Sequence, residues 1–111
     1  MLMATFELSK TEVGQFNFSL RGEEEKTLLR SEQYTSKSSA QNGIESIRKN
    51  AAEDKRYELK ESSNGKFYFN LKAVNGQVIG TSPMFGSDEA RSAAIAQVKS
   101  KAATAGVVED L

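Results

Sequence analysis

Between residues 66 and 72 the polar side chains fall on every second position: Lys66, Tyr68, Asn70 and Lys72. A strand sends alternate side chains to opposite faces, so these four share one face. Gln15, Asn17, Ser19 and Arg21 repeat the spacing earlier in the chain. A tyrosine ring among cations and amides has the chemistry to stack on a nucleobase or hold a planar anion. Asn17, Arg21, Lys66, Tyr68, Asn70 and Lys72 are therefore the candidate ligand residues. The competing reading is a solvated sheet face of the kind most two-layer α/β domains carry.

Other chemistry is thinner. The chain has no cysteine and no histidine, which removes thiol nucleophiles, thiolate metal sites and the commonest general base. No Ser/His/Asp or Cys/His set occurs, and no glycine-rich phosphate loop joins a strand to a helix. No catalytic residue, metal ligand or cofactor is expected. Calcium loops place oxygens at alternating positions, so Glu23-Glu24-Glu25 reads as solvated charge. Tyr34 and Phe85 either line a pocket or plug their helices onto the sheet, and aromatics more often do the second. Gly65-Lys66-Phe67-Tyr68-Phe69 loosely matches the RNA-recognition strand motif. There the exposed aromatics stack, whereas here Phe67 and Phe69 alternate inward.

Fifteen basic and fifteen acidic residues leave no formal net charge. Proteins that live on nucleic acid or anionic membrane usually carry a positive excess, because phosphate neutralisation supplies affinity. No apolar run approaches a membrane span. Met1-Leu2-Met3-Ala4 is too short for a signal-peptide core and lacks a basic flank. The expectation is a cytoplasmic, monomeric, non-enzymatic binding or interaction module of unknown partner, without membrane contact. The alternative is a nucleic-acid-associated protein using the helix-free polar face of the sheet.

What positions these residues is a duplication. Glu7-Leu8 recurs as Glu58-Leu59, and Gly14, Phe16, Phe18 and Leu20 recur as Gly65, Phe67, Phe69 and Leu71. Ser31, Ser36, Ile44, Ala51 and Ala52 return as Ser82, Ser87, Ile95, Ala102 and Ala103, always 51 positions on. That makes 11 identities over the 47 positions 6–52, where composition alone supplies roughly three. Within each copy the alternating stretches predict strands at Phe6–Lys10, Gln15–Arg21 and Lys26–Arg30, then Tyr57–Glu61, Lys66–Ala73 and Gln77–Thr81. Phe6, Leu8, Tyr57 and Leu59 are expected to point inward. Asn64-Gly65 and Asn75-Gly76 are hairpin turns, since both residue types tolerate positive φ. The period then changes. Ala40, Ile44, Ile47 and Ala51 form one helical stripe, matched by Ile95, Val98 and Ala102, behind the N-caps Ser36 and Ser87. Helices over Lys37–Ala52 and Asp88–Thr104 follow.

The expected fold is one α+β domain over residues 1–111. Two tandem β-β-β-α repeats, at about 6–52 and 57–103, share one antiparallel sheet with both helices packed on one face. The tail 105–111 is expected to fray. Half a core is not stable and two halves are, which gives the duplication a physical reason.

Gly65-Lys66-Phe67-Tyr68-Phe69-Asn70-Leu71 with Asn75-Gly76, Ser31-Glu32-Gln33-Tyr34-Thr35-Ser36 and Asn42-Gly43-Ile44 resembles the YegP-like family of small bacterial proteins. The resemblance runs from about Phe6 to Ala103. It implies β-β-β-α units that build one sheet with two helices and exchange strand material, and it implies no function. Two departures stand out: Ala93-Ala94-Ile95 replaces Asn42-Gly43-Ile44, and glutamates replace Asn75-Gly76 in the first copy.

Overall fold

The computed structural model describes residues 4–22 and 25–111. The N-terminal Met1-Leu2-Met3 and the Glu23-Glu24 part of the acidic run lie outside the described residues. The elements are β1 (Thr5–Lys10), β2 (Phe16–Arg21), β3 (Thr27–Arg30) and α1 (Lys37–Asn50), then β4 (Tyr57–Glu61), β5 (Phe67–Lys72), β6 (Val78–Thr81), α2 (Asp88–Lys101) and β7 (Gly106–Asp110). Short 3-10 turns at Asp54–Arg56 and Ala102–Thr104 lead into β4 and β7. Both helices start where serine caps them. Ser36 Oγ accepts the Ser39 N–H and Ser87 Oγ the Ala90 N–H, each at 3.1 Å.

Strand alternation delivers the core. Phe6, Leu8, Phe18, Leu20, Leu29, Phe69 and Leu71 from the strands join Ala40, Ile44, Ile47, Ala94 and Val98 from both helices in one cluster. Tyr34 and Phe85 each pair by a β-bridge, with Phe16 and Phe67. Each also stacks on a core ring, Tyr34 on Phe18 at 6.1 Å and Phe85 on Phe69 at 6.5 Å. Gly43 lets α1 approach this stack. A Cβ there would lie 2.5 Å from Tyr34 Oη and 3.0 Å from Phe18 Cε2. The second copy has Ala94 at that position and, in Phe85, a ring without a hydroxyl. The hairpin turns also differ. Gly76 sits at φ 85°, and its counterpart Glu25 takes φ 59°, a left-handed conformation that a side chain disfavours.

The sheet has seven strands in the order β4-β5-β6-β3-β2-β1-β7. All neighbours are antiparallel except β1 and β7, which run parallel with Phe6 beside Val107. The antiparallel sheet expected from sequence is thus a mixed one, and the tail expected to fray is a strand. The repeat explains both. Chain leaving α2 runs as chain leaving α1 does, in the direction of a first strand. The place beside β2 is already filled by β1, so β7 lies outside it. Arg48 secures the entry by donating to the Ala105 carbonyl at 2.6 Å, and Lys37 Nζ sits 2.7 Å from Glu109 Oε1.

One core expectation is also corrected. Leu8 is fully buried, but its counterpart Leu59 is 57% exposed. Both follow the same alternation. β1 has β7 against its outer side, whereas β4 ends the sheet and has no neighbour there among the described residues.

Candidate interaction surface

The six candidate ligand residues form two groups rather than one site. Tyr68, Asn70 and Lys72 lie along β5, with Lys66 exposed just before it. Asn17 and Arg21 lie on β2. Between β2 and β5 stand β3 and β6, so the groups are three strand spacings apart, about 14 Å. Their cations are also largely engaged. Arg21 Nε is 3.4 Å from Glu7 Oε2, and its Nη1 donates to the Glu25 carbonyl at 3.3 Å. Lys72 Nζ is 2.9 Å from Glu58 Oε2, and Asn70 donates to Glu58 Oε1 at 3.1 Å while accepting from Thr81 at 2.8 Å. The hydrogen bond from Lys72, then that from Asn70, holds the Glu58 carboxyl below the usual carboxylate range. Glu7 with Arg21 and Glu58 with Lys72 are the same cross-strand pair, one in each copy. Sequence reasoning placed the cations on this face and missed the glutamates that neutralise them.

At the centre of the sheet β3 and β6 share a single residue pair, Arg30 with Thr81. A cavity of about 230 Å³ opens there, lined by Arg30, Ser31, Glu32 and Thr81 among others. Its serines are committed to the fold. Ser31 Oγ accepts the Phe18 N–H and Ser82 Oγ the Phe69 N–H, standing in for ladder partners. A second cavity, of about 330 Å³, lies between α1 and β7 beside Gln41, Asn42 and Val107. Among the described residues no acidic, histidine or cysteine cluster is arranged to hold a metal ion. Nor, among the described residues, is any helix long and apolar enough to cross a membrane.

Among the described residues the sheet ends at β7 on one side and at β4 on the other, and the edge that carries both signs of charge is the outer side of β4. Its main-chain phase follows from β5. Phe67 exchanges backbone bonds with Phe85, and Phe69 accepts the Ser82 N–H while donating its own N–H to Ser82 Oγ, all on the β6 side. Tyr68 and Asn70 therefore face β4 and bond Lys60 and Glu58, their register partners. By the same alternation Tyr57, Leu59 and Glu61 turn their N–H and C=O groups away from the sheet. In β1 the corresponding groups, those of Phe6 and Leu8, meet β7.

The strand bearing this edge is firmly held from behind. Tyr57 donates its hydroxyl to the Ala51 carbonyl at 2.6 Å, and burial pushes its phenol well above the ordinary tyrosine value. Lys99 of α2 pairs with Asp54 in the preceding turn. Arg91 is buried over the Phe67 ring and donates to the Lys60 carbonyl at 2.9 Å. That carbonyl belongs to the set facing β5, so the outward groups of Leu59 and Glu61 stay open, while the Tyr57 N–H is taken by the Asp54 carbonyl. The missed signal was present at the chain's end. Glu58 stands 51 positions after Glu7 and Glu109 another 51 after Glu58, so Val108-Glu109 repeats the start of a first strand.

A family model described as "Domain of unknown function (DUF1508)" matches twice, at residues 12–58 and 62–109. Each match begins in a hairpin turn and ends in the strand after a helix, β4 or β7. The chain is similar to the UPF0339 protein YegP of Escherichia coli strain K12, with 50% identity over 105 residues covering 95% of this chain and 94% of that one. It is 45% identical over 108 residues to the UPF0339 protein in the ptx operon 5′ region of Stutzerimonas stutzeri, covering 97% of each chain. The solution NMR structure of the E. coli YegP protein, described as of unknown function, superposes with a TM-score of 0.92 at 46% identity, covering 99% of this chain and 95% of that one. That of a Shewanella oneidensis UPF0339 protein gives 0.90 at 42% identity, covering 96% and 90%. Two matched copies and relatives spanning nearly the whole length make this chain a member of the YegP-like DUF1508 family, for which no function is assigned.

Proposed function

We propose that the chain is a non-catalytic interaction module of the cytoplasm that accepts an extended polypeptide strand on the outer edge of β4. In this reading two β-β-β-α repeats pool their strands in one sheet with both helices on one face. The observation that carries it is the contrast between two equivalent leucines, Leu8 buried under β7 and Leu59 57% exposed on an open edge. A row of unpaired main-chain groups beside an exposed apolar side chain is the template for strand addition. The pairing of β1 with β7 is an internal example of the contact the edge would make. Nucleic acid suits the surface less well, because Arg21 and Lys72 already face Glu7 and Glu58.

The test is an amide chemical-shift titration with three probes: a peptide of sequence 106–111, a short RNA and a short single-stranded DNA. The expected result is shifts at Tyr57–Glu61 with the peptide alone. Shifts at Asn17, Arg21, Lys66, Tyr68, Asn70 and Lys72 with a nucleic acid would replace this reading by the nucleic-acid one. A silent titration would remove both.

A further inference from the structure

Resting on the strand-accepting reading, the geometry points to a specific occupant. We propose that the β4 edge pairs with the β4 edge of a second copy of this chain, antiparallel, across a two-fold axis that passes beside Leu59. The sequence of the strand is Tyr57-Glu58-Leu59-Lys60-Glu61. Reversed against itself with Leu59 at the centre, it sets Leu59 opposite the partner's Leu59 and Glu58 opposite the partner's Lys60. The same ion pair recurs on the other side of the axis.

The main-chain phase permits this register. Leu59 and Glu61 turn outward, so the two Leu59 residues exchange both N–H···O=C bonds. The Glu61 N–H meets the carbonyl of the partner's Tyr57. The Tyr57 N–H is already bonded to the Asp54 carbonyl and is not needed. Glu58 and the partner's Lys60 then form a non-hydrogen-bonded pair, in which opposed side chains stand closest. Opposite charges occupy the close positions. Lys60 has no ion pair among the described residues, and Glu58 is already held ionised by Lys72 and Asn70.

Neighbouring registers lose this match. Centring on Lys60 opposes two lysines and sets Leu59 against an acidic residue, and centring on Glu58 opposes two glutamates. Like charges directly opposite destabilise a pair of strands. Pairing about Leu59 also covers a leucine that each chain leaves exposed. It keeps the helices of both copies on one side, because a two-fold perpendicular to a sheet does not exchange its faces. The other end of the sheet, the outer side of β7, has no such match, because the charged side chains of Gly106-Val107-Val108-Glu109-Asp110 are all acidic.

An interface of one five-residue strand per copy belongs to the small, weak class, so association is expected at roughly 10–1000 µM. Sedimentation equilibrium up to about 1 mM is the primary assay. The unmodified chain should dimerise and go no further. Lys60→Glu opposes glutamates at both close positions and Glu58→Lys opposes lysines, so each alone should weaken association about tenfold or more. Mixing the two variants opposes lysine to glutamate at both positions and should restore a one-to-one heterodimer. Circular dichroism checks that each is folded. If Glu58→Lys fails to fold, Leu59→Arg replaces it and should leave a folded monomer. Amide exchange gives an independent reading: Leu59 and Glu61 should gain protection with concentration, while Phe6 and Leu8 stay protected throughout. A monomer at the highest concentration overturns self-pairing. If the 106–111 peptide still shifts the β4 amides, the strand-accepting reading survives that failure, and if it does not, both fall.

Discussion

Gly43 and Tyr34 are matched, and the match can be broken and repaired. An alanine Cβ at position 43 meets Tyr34 Oη at 2.5 Å, Tyr34 Cζ at 2.9 Å and Phe18 Cε2 at 3.0 Å. Contacts this close force rings to shift, and overpacking of this kind costs about 1–3 kcal/mol. Gly43 lies inside α1, so alanine also recovers helix propensity worth about 1 kcal/mol. The net expectation for Gly43→Ala is a loss of about 1 kcal/mol. Tyr34 Oη makes no hydrogen bond among the described residues, so Tyr34→Phe should cost less than about 0.5 kcal/mol. In the double variant the nearest obstacle is gone, and the ring has the arrangement that Phe85 adopts beside Ala94. The propensity gain then outweighs the residual crowding, giving a change between zero and about 1 kcal/mol of added stability. Urea unfolding of the four proteins should yield a coupling of about 1–2 kcal/mol. Equal costs of Gly43→Ala in both backgrounds would refute the steric argument.

Two further outcomes follow from packing and charge. Phe18→Ala and Phe69→Ala should each destabilise by about 3–5 kcal/mol in the same urea assay, because both rings are buried in the shared core. Tyr68→Ala, on the opposite face, should cost far less, and a larger loss there would invert the strand phase. The depressed Glu58 carboxyl contributes stability that is complete above the ordinary carboxylate value and disappears as pH falls through its own lower value. Carboxyl NMR titration should place its midpoint below the usual range, and Lys72→Met should raise it; an unmoved midpoint would refute the pairing.

Much of this architecture was legible because it is written twice. The alternation at Phe16–Leu20, the cap Ser36 and the helix positions Ile44 and Ile47 are local signals, and each recurs 51 positions on, at Phe67–Leu71, Ser87, Ile95 and Val98. What escaped was non-local. β7 is a strand because residues 106–110 meet β1 at the other end of the chain, a contact that no window of sequence contains. Leu59 and Leu8 each follow a glutamate at equivalent positions of the repeat, and their burial differs because only one of them has a strand beyond it. The alternation that makes the polar face was legible, but its chemistry depends on the diagonal between Lys72 and Glu58, which needs the register of β4 on β5.

The C-terminal strand has a further consequence, in terms of valence. A sheet with two open edges can add a neighbour at each and grow without limit, the geometry of a fibre. Here the chain folds its own last strand over one of the two, and Arg48 and Lys37 of α1 fasten it. What is left at that end is a new edge whose charged side chains, Glu109 and Asp110, are all acidic, so that two such edges repel. Pairing through β4 alone then stops at two, and the short segment that completes the fold also sets an acidic end on the assembly.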